Sequence, residues 1–384
     1  SRGNKGTLLL TIMIIALVFV NLIFLPSIIT GVVILFNQQS IDYSYANLVI
    51  EPRENERVIT NVLELQQKIN RVPGVVATSP RYTSGATIVY KGRTTTPLLI
   101  GMNPDDEKQV LKIHTKIISG DYLSEADTGQ IMIGSTLAGN PDQNVDRVAS
   151  LGGAEVGKTV DVTFNNGVTR QYRIKGIINS GSSGADSNAF ITKKELESVI
   201  GTSDTATQIL VRTLTTGDED AMRITLMQYG VQEQIWTWQD KSADFLESIV
   251  GSFDIINFIS TLVSLIIAVV VIFIVIFINT VYRRKQIGIL QAIGIDRSLI
   301  IKSYIFQALF ICACGTLAGC ALLFGVLQYL TASPLVFPGG PVAPVVEPAL
   351  VIEAVVSLFI ASLIAGYVPS WLTTREDILS AIRG

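Results

Sequence analysis

The chain has 384 residues, 48% hydrophobic and only 16% charged, with a formal net charge of −3. Such a composition excludes an ordinary soluble domain and gives no support to nucleic-acid binding. A single histidine, His114, excludes a histidine-based metal cluster or a conventional Ser-His-Asp triad within one chain.

No charge occurs from Gly6 to Ile41. The apolar run Thr7 to Phe36 lacks a small-residue cleavage site, so it reads as a retained membrane helix, with Pro26 as the expected place for a kink. An α+β pattern follows. YANLVIE (45–51) is expected as a strand, 56–72 as an amphipathic helix ended by Pro73-Gly74, and VVATSP (75–80) as a strand. The order recurs at 207–213, 218–229 and 231–238 as strand, helix and strand. Two β-α-β halves separated by about a hundred residues would pack as one layered lobe. Asp105-Asp106 and Asp218-Glu219-Asp220 read as helix N-terminal charge rather than catalytic carboxylates, and Trp236 and Trp238 as alternating packing residues on the last strand.

Between the halves, Ile118 to Ser203 reads as a second, strand-rich lobe. It contains GGAEVGKT (152–159), which satisfies the phosphate-loop pattern letter for letter. The context is wrong for a nucleotide, because Val160, Val162 and Phe164 alternate with Asp161 and Thr163 as in a strand, where a phosphate loop needs a helix. Asn166-Gly167 then suggests a two-residue hairpin turn. NSGSSGADSN (179–188) reads as a flexible loop, and Thr192 with Glu195 as a capping box.

From Ser242 to Tyr282 no breaker forces a stop, so a helix of roughly 60 Å is expected, about twice the hydrocarbon thickness, projecting as a stalk. Further spans are expected near 302–330 and 349–371, separated by the loop Ser333 to Pro348 with its five prolines. With 7–30 and 255–281 this makes four spans. Arg2, Lys5, Arg283, Arg284, Lys285, Arg297, Lys302, Arg375 and Arg383 flank one side, which places both termini in the cytoplasm and residues 37–252 outside it. That exterior segment holds 26 acidic and 20 basic residues and no cysteine, since Cys312, Cys314 and Cys320 all fall in the third span. The expected parts are therefore 1–36, 37–117, 118–204, 205–241, 242–282, 283–301, 302–331, 332–348 and 349–384.

The stretch YRRKQIGILQAIGIDRSLIIKSYIFQALF (282–310) holds a basic cluster, a short amphipathic segment, a helix stop at Gly294 and a cap at Asp296. Lys285, Ile287, Gly288, Ile289, Leu290, Ala292, Ile293 and Gly294 match the K-x-I-G-I-L-x-A-[IL]-G segment of the FtsX-like/MacB-type ABC transporter permeases, which the chain resembles. ISGDYLSEADTGQIMIGSTLA (118–138), the VGKTVDVTFNNGVTRQYRIKGII hairpin and the ending GYVPSWLTTREDILSAIRG, with Asp377 where proline is common, extend the resemblance over nearly the whole chain.

The resemblance implies a membrane α-helical protein with four transmembrane helices and a large extracytoplasmic α+β domain, in which a strand-rich sabre-like lobe is inserted into a porter-like lobe. It implies that Arg283 to Gly294, with Arg284 included, forms a coupling helix docking on a separate cytoplasmic ATPase. ATP and magnesium would be held by that partner, and no cofactor or metal by this chain, which is then not itself an enzyme but part of an ATP-hydrolysing complex. A second permease copy or a homologous permease, the lipid membrane and an exterior adaptor or hydrolase are the other implied partners. Gly315 and Gly319 would permit close helix approach, within one subunit or between two. The function the resemblance implies is transmission of ATP-driven motion to the extracytoplasmic domain for export or extraction of a lipid, lipoprotein, peptide or drug, with mechanical activation of a cell-wall hydrolase and a sensor ectodomain as the alternatives.

Overall fold

The computed structural model describes residues 2–141, 148–337 and 339–374. Part of the polar stretch preceding GGAEVGKT and the ending from Arg375, including Asp377 and Arg383, lie outside the described residues, as do the side chains of Arg284 and Ala292. The chain divides into two compact units, one of Ile34–Leu246 with Pro338–Gly340, the other of Ser1–Val33, Glu247–Phe337 and Pro341–Gly384.

The elements begin with α1 (Arg2–Gln39), a π-helical turn (Ser40–Tyr45), β1 (Leu48–Glu51), β2 (Ile59–Thr60), α2 (Val62–Asn70), β3 (Val75–Tyr90), β4 (Arg93–Thr95), β5 (Leu98–Met102) and α3 (Pro104–Val110). A 3-10 turn (Ile113–Lys116) leads to β6 (Ile117–Gly120), β7 (Gln130–Gly134), α4 (Ser135–Ala138), β8 (Thr159–Phe164), β9 (Thr169–Ile178), α5 (Ser183–Asp186), β10 (Ala189–Thr192) and α6 (Lys193–Ile200). Then come β11 (Thr205–Ala206), β12 (Gln208–Thr213), α7 (Glu219–Gln228), β13 (Gln234–Thr237), α8 (Trp238–Tyr282), α9 (Arg284–Ala292), α10 (Arg297–Ala332), β14 (Leu335–Phe337), β15 (Gly340–Val342) and α11 (Pro348–Thr374).

In the sheet unit, β13, β1, β12 and β3 lie side by side and antiparallel. The two expected β-α-β halves therefore interleave, in the ferredoxin-like manner, rather than sit end to end. Helices α2 and α7 cover this part through Val62, Ile69 and Leu226, which pack on Leu48, Ile50, Ile209 and Val211. β3 is the spine. It does not stop at Pro80 as the sequence suggests but runs 16 residues, pairing first with β12, then with β5, and finally with β8 and β4. The strand-rich lobe joins the same sheet, because β10 pairs in parallel with β5 and antiparallel with β7, and β7 pairs in parallel with β9. Along β5, β7 and β10 alternate residues enter separate cores. Leu99, Ile133 and Ile191 pack with Leu196 and Val199 of α6, whereas Ile100, Met132 and Phe190 pack with Val110 of α3.

Local differences from the sequence reading have nonlocal causes. α2 begins at Val62 rather than near Glu56, since β2 pairs with β11 and Asp204 supplies the cap, its Oδ1 accepting from Leu63 N–H at 2.9 Å. The hairpin loop has three residues, Asn165 to Gly167: Phe164 N–H donates to Val168 O at 2.9 Å and Gly167 takes φ +83°, a bulged turn in place of a two-residue one. Residues 179–188 form a built corner, with the buried Asp186 accepting from Ser180 N–H, Ser180 Oγ and Gly181 N–H at 2.8, 2.9 and 2.9 Å. Burial pushes the Asp186 carboxyl up, and these hydrogen bonds oppose it. Thr192 caps α6, but Glu195 turns to Arg170 and Tyr172 at 2.7 and 3.2 Å, so only half of the capping box forms.

GGAEVGKT closes a turn. The N–H groups of Gly153 and Ala154 donate to Ala138 O, that of Gly157 to Ile174 O and that of Lys158 to Glu155 O, while Gly152 N–H reaches Ser150 Oγ. β8 follows at Thr159. A phosphate cradle needs free amides ahead of a helix, and these amides are taken. Lys158 is exposed. Lys158→Ala is therefore expected to change stability by less than about 0.5 kcal/mol and to leave ATP hydrolysis by an assembled complex within about twofold; a collapse of hydrolysis at normal expression would overturn this.

Among the described residues, four helices are long and apolar enough to cross a membrane: Gly6–Tyr45, Val250–Tyr282, Arg297–Ala332 and Pro348–Leu372. Pro26 and Pro369 lie inside α1 and α11. Phe19 and Ile23 of α1 pack with Ala268 of α8, Cys312 of α10 and Leu358 of α11. A Cβ on Gly315 or Gly319 would sit 2.5 Å from Ile15 or 2.6 Å from Phe19, so both glycines of α10 face α1. Asn21 of α1 donates to Ser264 Oγ of α8 at 2.7 Å.

Candidate functional site

Two regions carry the chemistry that the fold leaves unexplained. The first is the basic loop of the helical unit. Arg283 and Lys285 are exposed, and Arg284 opens α9. Ile287 turns inward onto Ile300 and Tyr304, and Gly288 is buried too. Ile289 and Ile293 point away, 54% and 74% exposed, with Leu290 partly so at 39%. Beside them a crevice of about 290 Å³ is lined by Arg283, Gln286, Leu290, Ile295 and Leu299. Gly294 takes φ +94° with open space around its Cβ position, so backbone conformation alone asks for glycine. Asp296 occupies the next N-cap position, but its side chain makes no capping hydrogen bond, contrary to expectation.

The second region lies in the sheet unit, where α1 ends and α8 begins. The π-helical turn Ser40–Tyr45 is followed by the buried Ala46 at φ 56°, ψ −149°, a conformation suited to glycine. The turn is held from several sides. Asp42, 6% exposed, accepts from Arg212 of β12 at 3.0 Å and from Lys112 after α3 at 2.8 Å. Lys112 N–H also donates to Asp42 O at 2.8 Å, and Arg212 to Ile41 O at 3.3 Å. Ser44 O accepts from Arg81 at 3.4 Å, and Arg81 is buried against Glu107, which also accepts from Ser79 Oγ at 2.6 Å. Burial, reinforced by the Glu107 carboxylate, pushes the neighbouring Tyr122 phenol far up. Ser44 Oγ meets Ser182 Oγ at 3.0 Å, and Gln39 Nε2 donates to Gly339 O.

The start of α8 is tied as firmly. Trp238 is its first residue rather than part of the strand, and its N–H donates to Asn47 O at 3.1 Å. Glu219, 2% exposed, accepts from Asn47 Nδ2 at 3.1 Å, Trp238 Nε1 at 3.2 Å, Gly217 N–H at 3.0 Å and Gln239 Nε2 at 3.4 Å. Burial raises its carboxyl pKa, but the Asn47 and Gly217 hydrogen bonds outweigh that and hold it below the ordinary range. It is thus a buried hub and not only helix N-terminal charge. Thr237 and Asp240 cap one another at 2.9 and 3.1 Å, and Lys241 pairs with Glu51 of β1 at 2.5 Å. These anchor residues were missed from the sequence, where the available signal was an arginine, Arg212, inside an otherwise apolar strand.

Residues 8–225 match the model of the MacB-like periplasmic core domain, and residues 258–378 that of the FtsX-like permease C-terminal region. The chain belongs to the FtsX/MacB-type ABC transporter permeases. As such a permease it is a membrane protein whose sheet unit is the extracytoplasmic domain, and its family implies partnership with a cytoplasmic ABC ATPase. Solved structures similar to this permease include the following two. One is the extracellular domain of the noncanonic ABC-type transporter YknZ from Gram-positive bacteria, 16% identical, covering 50% of this chain and 98% of that one at a TM-score of 0.36. The other is the periplasmic region of MacB from Actinobacillus actinomycetemcomitans, 14% identical, covering 52% and 91% at a TM-score of 0.36. No curated protein matches the chain.

Proposed function

We propose that this permease is the transmembrane half of an export or extraction machine in which ATP-driven motion enters at residues 283–294 and is carried by α1 and α8 to the extracytoplasmic domain. Both termini and the basic loop then face the cytoplasm, as the flanking arginines and lysines favour. The ATPase binds ATP and magnesium, a second permease copy completes the complex, and this chain needs no cofactor of its own. An exterior adaptor is compatible with the reading and not required by it.

One observation carries the reading. α8 is a single helix of 45 residues, about 68 Å long, that starts within the Glu219 hydrogen-bond network and ends next to the basic loop. A bilayer span needs only about 20 residues. An excess that ends in fixed contacts suits a rod better than an anchor.

Hydrogen exchange on the permease assembled with its ATPase tests this without knowledge of the substrate. ATP with vanadate is expected to change protection in residues 39–47 and 238–246. Asp42→Ala, which removes ionic hydrogen bonds worth about 1.5–3 kcal/mol each, should weaken the response at 39–47 and in β12 while basal hydrolysis continues. Identical protection with and without nucleotide would exclude mechanical transmission to the extracytoplasmic domain.

A further inference from the structure

β5 and β10 are adjacent parallel strands whose carboxyl ends are level, with Met102 opposite Thr192. Each leads directly into a helix, β5 into α3 through the Asn103 cap and β10 into α6 through the Thr192 cap. The two helices go to opposite faces of the sheet, because Val110 packs in one core and Leu196 in the other. Neighbouring parallel strands whose helices part in this way leave a crevice beyond their carboxyl ends, the recurrent ligand position of open α/β sheets. Here it is a cavity of about 340 Å³, within the size range of small-molecule sites.

Its lining is selective. Leu63, Pro80, Met102 and Pro104 give an apolar floor. Asp106 lies among them, accepting one hydrogen bond from Gln66 at 3.1 Å, and among the described residues it has no ion-pair partner. The two lysines of the lining pair with two of its other carboxylates and not with Asp106, Lys193 with Glu197 at 3.7 Å and Lys194 with Glu125 at 3.6 Å. Asp204 is occupied in capping α2. The four carboxylates exceed the two ammonium groups by two charges, and a ligand anion would meet that surplus. Burial pushes the Asp106 carboxyl up, the Gln66 hydrogen bond opposes it, and the carboxylates of Glu125, Glu107 and Asp105 add to the rise. The carboxylate therefore lacks a compensating cation.

We propose that the crevice between α3 and α6 is a binding site for a small organic cation, with an apolar body on Leu63, Pro80, Met102 and Pro104 and a protonated amine on Asp106. The site lies on the extracytoplasmic domain, and the inference is independent of the mechanical reading.

Phenethylamine is a suitable probe and 2-phenylethanol its neutral counterpart. Binding to the full-length chain in lipid nanodiscs is read by saturation-transfer NMR or calorimetry. The amine is expected to saturate at millimolar concentration and the alcohol to bind at least tenfold more weakly. Asp106→Asn should weaken the amine at least tenfold and leave the alcohol unchanged, and Leu63→Trp, at an exposed edge of the floor, should block both. Asp244→Asn, an exposed acid on α8, should alter neither. Equal affinity for amine and alcohol, undiminished amine binding by Asp106→Asn, or no saturation up to about 10 mM would each overturn the proposal. Unchanged thermal unfolding of the variants separates loss of the site from loss of the fold.

Discussion

Ile289→Asp is expected to release the partner ATPase from detergent-solubilised complex while the permease itself stays folded. Ile289 is 54% exposed on α9, so the substitution removes little internal packing and should cost the isolated chain under about 0.5 kcal/mol. In a docked interface the same carboxylate would be taken out of water without a partner, a cost of several kcal/mol and hence a loss of affinity of at least a hundredfold. Ile287 supplies the contrast. It is 6% exposed and packed on Ile300 and Tyr304, so Ile287→Asp should damage the helical unit itself and lower expression as well as copurification. Pull-down of the ATPase at matched permease levels reads the difference. Undiminished copurification with Ile289→Asp would place the ATPase contact outside residues 283–294.

How far such sites can be read from sequence depends on whether their causes are local. The four long apolar helices were legible because a bilayer demands length and hydrophobicity within one segment, and both are additive along the chain. The β8–β9 hairpin was legible from its period-two alternation, although its loop gained a residue that the Asn-Gly pair did not reveal. The anchors were not legible. Asp42 finds Lys112 and Arg212 at separations of 70 and 170 residues, and Asn47 finds Glu219 across 172, so no window of sequence contains either partnership. Similarly, α2 starts where a cap 141 residues away permits it. Local propensity offered Glu56 to Thr60 a helix; pairing of β2 with β11 took Ile59 and Thr60 instead.

Slack introduced into both long helices should abolish extracytoplasmic function and leave basal ATP hydrolysis intact. Insertion of Gly-Ser-Gly-Ser after Ser248 in α8, matched after Asn37 in α1, interrupts each rod between its membrane part and its anchor. Glycine costs a helix about 1 kcal/mol per residue relative to alanine, so the inserted segments would not hold helical form under load. α8 already carries one weak point of this kind, Gly251, and remains a continuous helix through it, so a single glycine does not break the rod. Insertion in one helix alone leaves the other to carry displacement, and a partial loss is expected. A rigid control separates slack from length: seven alanine-rich residues at the same points lengthen each helix by about 10 Å and shift its phase by only about 20°, and should preserve more function than the shorter flexible insert. Hydrogen exchange at Leu48 and Val211, buried in the paired strands β1 and β12, verifies that the domain stays folded in every variant. Under mechanical transmission, the nucleotide-dependent change in protection at 238–246 disappears with flexible inserts in both helices. Its persistence there, with hydrolysis and folding intact, would mean that the extracytoplasmic domain responds to the ATPase by a route other than these two helices.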